Sequence, residues 1–346
     1  MPPSPLSTSR TVAKPLRFRY SPEAWSGERV HREIYQPLQG NLGAQSVTPR
    51  FDTVGGWETH RFEMDNGDLA LFACRDEEGY WMGNTETPRS LWRTEKFSWP
   101  DVPYPVARWA QRELLDTLQE EDPWLADFPH VSWFFLPVFM SKDGRRSTRA
   151  FFREHAAGFP DAGWEEATQF VEDFLHAGAL DAYRHTMAGK LGTAEQVDRV
   201  RMSAAISEFV AGKILVEAGY GITPEIEVST GHSLDYRAER GTTSVLVEVT
   251  RPQIPRRRAA AGPVAAIRDT AETKASGQLA AHGGGAVLFV DCSSFTREDW
   301  APIRKARPDV HHRPAVVYRA RPGGHVEGYP KGTVELDLDG AIDFFD

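Results

Sequence analysis

Asp235 and Glu248 are the residues of this sequence best placed to do chemistry. Asp235 lies in Ser233-Leu234-Asp235-Tyr236, and Glu248 in Leu246-Val247-Glu248-Val249-Thr250. An acid inside an apolar strand needs a partner, because an unpaired buried carboxylate is costly. Two such carboxylates in one pocket repel each other. A bound Mg²⁺ or Mn²⁺, one ion or two, relieves that repulsion and gains hard oxygen ligands. Sites of this kind most often act on phosphates. Asp235 and Glu248 are therefore the expected metal ligands. The carbonyl of Val249 is a third candidate.

Glu208 is the third acid. It sits among Ala204, Ala205, Ala211 and Gly212, whose small size lets a helix face approach a sheet and extend a long acid toward Asp235 and Glu248. Two readings stay open, because Ile206, Phe209, Val210 and Ile214 supply an ordinary apolar stripe that would leave Glu208 in water. Lys274 shares a helical stripe with Ile267, Ala271 and Gln278. It would bring positive charge to a scissile phosphate and its attacking water. The alternative is a lysine snorkelling past apolar neighbours. Thr250 can hydrogen-bond a water but carries no charge. Arg251 points to the opposite strand face by alternation.

The elements that must hold these residues follow from periodicity. A helix is predicted over 197–219, strands over 222–229, 233–239 and 243–250, a helix over 262–282 and a strand over 285–292. A helix over 297–306, a strand over 314–320 and a hairpin into 325–338 complete the segment. Val245, Val247 and Val249 share one face of the third strand, while Leu246 and Glu248 share the other. Both faces are apolar enough for a central, covered strand. Upstream, Asn66-Gly67 joins Trp57–Met64 to Asp68–Cys74 as a hairpin, with Tyr80-Trp81-Met82 as a third strand. Helices are expected at Pro22–Gln36, Pro105–Glu121, Arg146–His155 and Trp164–His176, and a dense apolar strand at Val131–Met140. The domains predicted are a polar, Pro-rich disordered tail over 1–13, a Trp-rich α+β domain over 14–195 and a mixed α/β domain over 196–346.

The order helix-Glu, strand, strand-Asp, strand-Glu-x-x, helix, strand resembles the core of the PD-(D/E)XK nuclease superfamily. Ser233-Leu234-Asp235-Tyr236 stands where that family has its metal-binding acid, and Glu248-Val249-Thr250 where it has Glu-x-Lys. Glu208 matches the family's helical acid, and Lys274 and Gln278 match basic and glutamine positions on the next helix more loosely. The resemblance spans residues 200–292. It implies an αβββαβ restriction-endonuclease-like core, Mg²⁺-dependent hydrolysis of phosphodiester bonds, and DNA as substrate ahead of RNA. Glu208, Asp235, Glu248 and Lys274 would be catalytic, and Thr250, Arg251 and Gln278 would contact substrate. Thr250 replaces the family lysine, so Lys274 must carry that charge, or the domain is a non-catalytic platform for nucleic acid or a protein partner. The whole chain also resembles an uncharacterised family of salt-loving archaea through Phe62-Glu63-Met64-Asp65-Asn66-Gly67-Asp68 and Trp133-Phe134-Phe135-Leu136-Pro137.

Composition narrows the remaining classes. Net charge is −9 over 346 residues, unevenly spread. Residues 1–199 hold 22 basic and 30 acidic side chains, against 18 and 14 in 200–334. The later segment thus permits nucleic-acid contact, while the acidic first part argues against non-specific binding. Eight Lys against 32 Arg, with excess acid, fits a high-salt cytosol or a GC-rich genome. No run of 18 apolar residues and no secretory segment occurs, so a cytoplasmic protein away from membranes is expected, with a homodimer allowed. Cys74 and Cys292 are too few for a disulfide framework or zinc knuckle.

Other motifs carry less. Gly189-Lys190-Leu191-Gly192-Thr193 lacks the spacing of a phosphate loop and reads as a linker. Gly231-His232-Ser233 and Cys292-Ser293-Ser294 lack a nucleophile elbow. Arg256-Arg257-Arg258 reads as a solvated basic loop. Nine of the ten Trp precede residue 200, which favours a packed core over a base-stacking surface.

Overall fold

The structure is a computed structural model that describes residues 16–53, 55–85, 87–91, 95–96, 102–142, 144–192, 194–227, 233–253, 262–274 and 285–345. The predicted tail 1–13, the Arg256–Arg258 loop, Gln278 and the helix beyond Lys274 lie outside the described residues. The chain forms two compact units. One contains Ala13–Ser147 with Gly192–Glu195, and the other contains Thr148–Leu191 with Gln196–Asp346. The division therefore differs from the one expected at 195/196. The helices after residue 147 group with the C-terminal unit, where the helix over Trp164–His176 packs against that over Arg199–Glu217 and Phe174 lies beside Gly212.

In the first unit, β1 (Arg17–Ser21), β2 (Gln45–Val47), β3 (Glu58–Glu63), β4 (Leu69–Arg75), β5 (Glu78–Gly83) and β6 (Glu95–Lys96) form an antiparallel sheet of order β2-β3-β4-β5-β1-β6. The Asn66-Gly67 hairpin forms as predicted, with Gly67 at φ 78°, a conformation glycine adopts without steric cost. Helices α1 (Gly27–Val30) and α2 (Gln36–Leu42), joined by a π-helical turn over His31–Tyr35, bury Val30, Ile34 and Leu38 against Phe62, Phe72 and Trp81. Helix α3 (Tyr104–Glu121) buries the predicted stripe Val106, Trp109, Ala110, Leu114 and Leu118. The predicted strand at Val131–Met140 is instead helix α4 (Pro129–Phe139). A continuous apolar run fits a covered strand or an all-round buried helix equally well, and here Phe134, Phe135, Leu136, Val138 and Phe139 are all buried. Pro129 opens that helix, where its missing N–H costs nothing.

Helix α5 (Arg145–His155) runs into the second unit, which adds α6 (Trp164–His176), α7 (Arg184–Gly189) and α8 (Arg199–Glu217). Then come β7 (Gly221–Glu227), β8 (Ser233–Arg240), β9 (Thr243–Thr250), α9 (Pro263–Lys274), β10 (Ala286–Asp291), α10 (Arg297–Ala306), β11 (Ala315–Arg321), β12 (His325–Lys331) and β13 (Asp343–Phe344). The run from α8 to β10 is the expected αβββαβ order in a mixed α/β domain. The sheet order is β13-β12-β11-β10-β9-β8-β7. Strands β7, β8 and β9 form an antiparallel meander, and β9, β10 and β11 run parallel through the crossovers α9 and α10. All six residues of β10 are buried, as a strand covered on both faces requires.

Candidate functional site

The register of the meander sets the acids side by side. Tyr236 pairs with Val247, so Asp235 falls level with Glu248 on the neighbouring strand. Pro224 pairs with Tyr236 and Ile226 with Leu234, so Glu225 falls level with Asp235 on the other side. Glu225, Asp235 and Glu248 thus form a row across β7, β8 and β9. Asp235 Oδ2 accepts the backbone N–H of Val249 at 2.8 Å, tying it to the strand that carries Glu248.

Helix α8 supplies Glu208. Asp198 caps its N-terminus by accepting the Arg201 N–H. Gly212 is required for the close approach of α8 to β8: a Cβ there would meet the Tyr236 hydroxyl and the Phe174 ring at 3.1 Å. With that space kept, the Tyr236 hydroxyl donates to the Glu208 carbonyl at 3.0 Å and anchors this turn of the helix over the strand. Of the two open readings for Glu208, the structure takes the first. Its side chain is mostly buried, and it contacts the Lys190 ammonium. One oxygen from each of Glu208, Glu225 and Asp235 lies within 4.8 Å of the others.

Lys190 also contacts Glu225, and it lies 3.9 Å from Asp235. Burial opposes its charge, but the carboxylates of Glu208, Asp235 and Glu225 outweigh burial and raise its pKa. One lysine cannot neutralise three acids. Burial, and next the charge of Asp235, push Glu208 up to about 8 despite Lys190. Glu225 is held at φ 54°, a left-handed backbone rare for a side-chain-bearing residue inside a strand. Its Oε2 accepts the Ser233 hydroxyl at 3.1 Å. Strain of this kind costs about 1–3 kcal/mol and persists where surrounding contacts enforce it, often at functional sites.

Helix α9 turns Ile267 and Ala271 into the core, and Lys274, on the same stripe, reaches Glu248 Oε1 at 2.5 Å. Lys274 therefore meets the acid row, the outcome its spacing allowed beside that of a lysine snorkelling into water. Glu248 is 1% exposed, and among the described residues its Oε2 has no hydrogen-bond partner. Burial, followed by the nearby Asp235 charge, pushes Glu248 up to about 7. Four carboxylates face two ammonium groups here, a formal excess of two negative charges.

Two expected substrate contacts, Arg251 and Thr250, are buried. Arg251 is buried, and its guanidinium bonds the Ser294 hydroxyl at 2.7 Å and the Gly158 and Ser203 carbonyls, and pairs with Asp291 at 3.5 Å. With its donors so engaged, Arg251 braces the edge of the sheet and does not present itself to a substrate. Thr250 is buried too, paired with Val290. Sequence reasoning missed Glu225 and Lys190. Lysine scarcity was the available signal for Lys190, but its glycine-flanked setting read as a linker.

In the first unit Glu58, His60 and Cys74 also approach one another. Burial pushes the Cys74 thiol up to about 12 and lowers His60, so the thiol stays protonated and is a poor metal ligand.

Residues 13–338 match the model of a family of unknown function (DUF5784). The chain belongs to that family. No curated protein and no solved structure matches it. Among the described residues, no helix is long and apolar enough to cross a membrane.

Proposed function

We propose that the C-terminal unit is a Mg²⁺- or Mn²⁺-dependent nuclease of the PD-(D/E)XK type, hydrolysing phosphodiester bonds in DNA ahead of RNA. The observation that carries this reading is the meeting of Lys274 with Glu248 beside Asp235, in a cluster that sets four carboxyl groups against two ammonium groups. Asp235 and Glu248 would hold the ion, with Glu208 and Glu225 completing its acidic surroundings. The donors are hard oxygens: Glu208, Glu225 and Asp235 each offer one within 4.8 Å of the others, and Glu248 Oε2 has no hydrogen-bond partner among the described residues. When bound, such an ion supplies charge for the phosphate and acidity for a water. Lys274 takes the part of the family lysine from a different element and neutralises charge developing on a phosphate oxygen. Val249 N–H orients the Asp235 carboxylate.

A second reading is favoured by a specific observation. Lys190 already rests on Glu208 and Glu225, where a cation would sit, so the cluster also works as an internal ion-pair network in a non-catalytic platform. Cleavage of plasmid and single-stranded DNA with Mg²⁺ or Mn²⁺, at low and high salt, separates the two. The nuclease reading expects divalent-dependent cleavage that is lost in Glu248→Ala and Lys274→Ala. It also expects a stoichiometric Mn²⁺ site by calorimetry that is lost in Asp235→Asn. No Mn²⁺ binding together with no cleavage would refute it and leave the platform.

A further inference from the structure

A second polar site occupies the other end of the same sheet edge. The parallel strands β9 and β10 end within a residue of each other, β11 runs on from Tyr318 to Arg321, and α10 follows β10 after a short loop, so its N-terminus lies on this side of the sheet. Crevices outside the carboxyl ends of parallel strands are where α/β sheets characteristically bind ligands. Here a cavity of about 500 Å³ opens, lined by Arg297, Arg319, Arg321 and His325, with Asp161 and Glu166 opposing them. Glu248 is level with Leu288 and through it with Ala315, so the cavity at Arg319 and Arg321 lies two strands across and four to six residues further along the sheet from Glu248.

Arg319 makes this more than a helix terminus. It is 2% exposed; its Nε donates to the Phe295 carbonyl at 3.0 Å and its Nη2 to Asp161 Oδ2 at 2.5 Å. Its Nη1 has no hydrogen-bond partner among the described residues. A buried guanidinium with an unsatisfied donor is expensive unless an anion completes it. The same Asp161 oxygen accepts the first N–H of α10, from Arg297, at 2.6 Å. A carboxylate of the chain therefore already holds the position that favours an anion, between a helix N-terminus and an arginine. Asp161 is partly exposed, on a turn, and can be displaced.

Size and lining narrow the ligand. The volume falls within the range of small-molecule sites, about 300–1,000 Å³. It far exceeds what a lone inorganic anion fills. Phe159 and Pro322 give an apolar wall opposite the arginines, suited to the organic part of a phosphoester. We propose that this cavity binds a small phosphate-bearing molecule of mononucleotide size, its phosphate on Arg297, Arg319 and Arg321. The proposal stands whether or not the acid row cuts DNA.

The test is calorimetric titration of the full chain with AMP, inorganic phosphate and a short oligonucleotide, in EDTA so that the acid row binds no metal. AMP is expected to bind once per chain, more tightly than inorganic phosphate. Arg321→Ala and Arg297→Ala, both at positions with some exposure, should each weaken AMP at least tenfold while far-UV circular dichroism stays unchanged. Asp161→Asn should tighten AMP by removing the competing carboxylate. Absence of saturable AMP binding, binding unaltered by both arginine variants, or binding of the oligonucleotide alone would each overturn the proposal.

Discussion

Replacing Lys190 by methionine removes the ammonium that Glu208 and Glu225 both contact and leaves Asp235 without its cation at 3.9 Å. The carboxylates stay within 4.8 Å of one another. At an effective dielectric constant near 20, two unit charges about 4 Å apart interact by roughly 4 kcal/mol. These side chains are partly open to solvent, which screens the repulsion. Loss of one partner from a buried pair costs about 3–5 kcal/mol. The lower end, about 3 kcal/mol, is expected at pH 8. The cost must depend on pH. Glu208 has a folded pKa of about 8, above the value of 4.5 of an unperturbed glutamate. The folded chain thus binds a proton that the unfolded chain has released, and stability falls as pH rises from about 4.5 toward 8. Without Lys190 the folded pKa rises further and the fall extends higher. Near pH 5.5 the carboxyl is neutral in both folded proteins and at pH 8 it is only half-ionised in wild type, so the deficit should shrink by only about 0.4 kcal/mol between pH 8 and 5.5. For a unit of this size, 3 kcal/mol lowers Tm by roughly 6–12 °C. A divalent ion at a hundred times its Kd returns about 2.7 kcal/mol. The assay is thermal unfolding of wild type and Lys190→Met at pH 5.5 and 8, with and without 10 mM (about a hundred times an assumed Kd) MnCl₂. Deficits that differ by more than about 1 kcal/mol between the two pH values, or Mn²⁺ protecting both proteins alike, would refute the reasoning.

Three further outcomes follow from the same contacts. Glu248→Gln should abolish divalent-dependent cleavage by at least a hundredfold while leaving Tm within a few degrees, because the neutral amide relieves repulsion with Asp235; plasmid nicking and circular dichroism read the two effects. Mn²⁺ affinity should rise from pH 6 to pH 8, by up to about a hundredfold per unit at the acid end and less toward pH 8, because Glu248 near 7 and Glu208 near 8 must shed two protons to bind it; calorimetry in buffers of different ionisation enthalpy counts those protons. Arg251→Met should destabilise the chain by about 3–5 kcal/mol in urea denaturation, since it strands Asp291 as an unpaired buried charge.

Much of the second unit was legible because its elements are strongly periodic. The stripe Ile267, Ala271, Lys274 put Lys274 beside core residues but left open whether it met the acids or water, and a hairpin of β8 and β9 allowed Asp235 and Glu248 to share a face. The αβββαβ order was readable for the same reason, since helix and strand leave different repeats in the chain. Helix α4 was not legible, since an all-apolar run erases the difference between those repeats.

What the chain's own order determined was therefore the local register: which acids share a level on adjacent strands, and which lysine shares a stripe with core residues. Packing alone decided the rest. Lys190 follows α7, ahead of the helix and strands that carry the acids, and meets Glu208 and Glu225 only in the folded unit. Glu225 joins through a backbone angle that its residue type disfavours, enforced by contacts from other elements. Arg251 is turned inward by partners at 158, 203, 291 and 294, none of them its neighbour along the chain. Periodicity reports the face a residue occupies on its own element. It is silent on which distant element will meet that face, and the charges of this site are balanced across elements far apart in sequence.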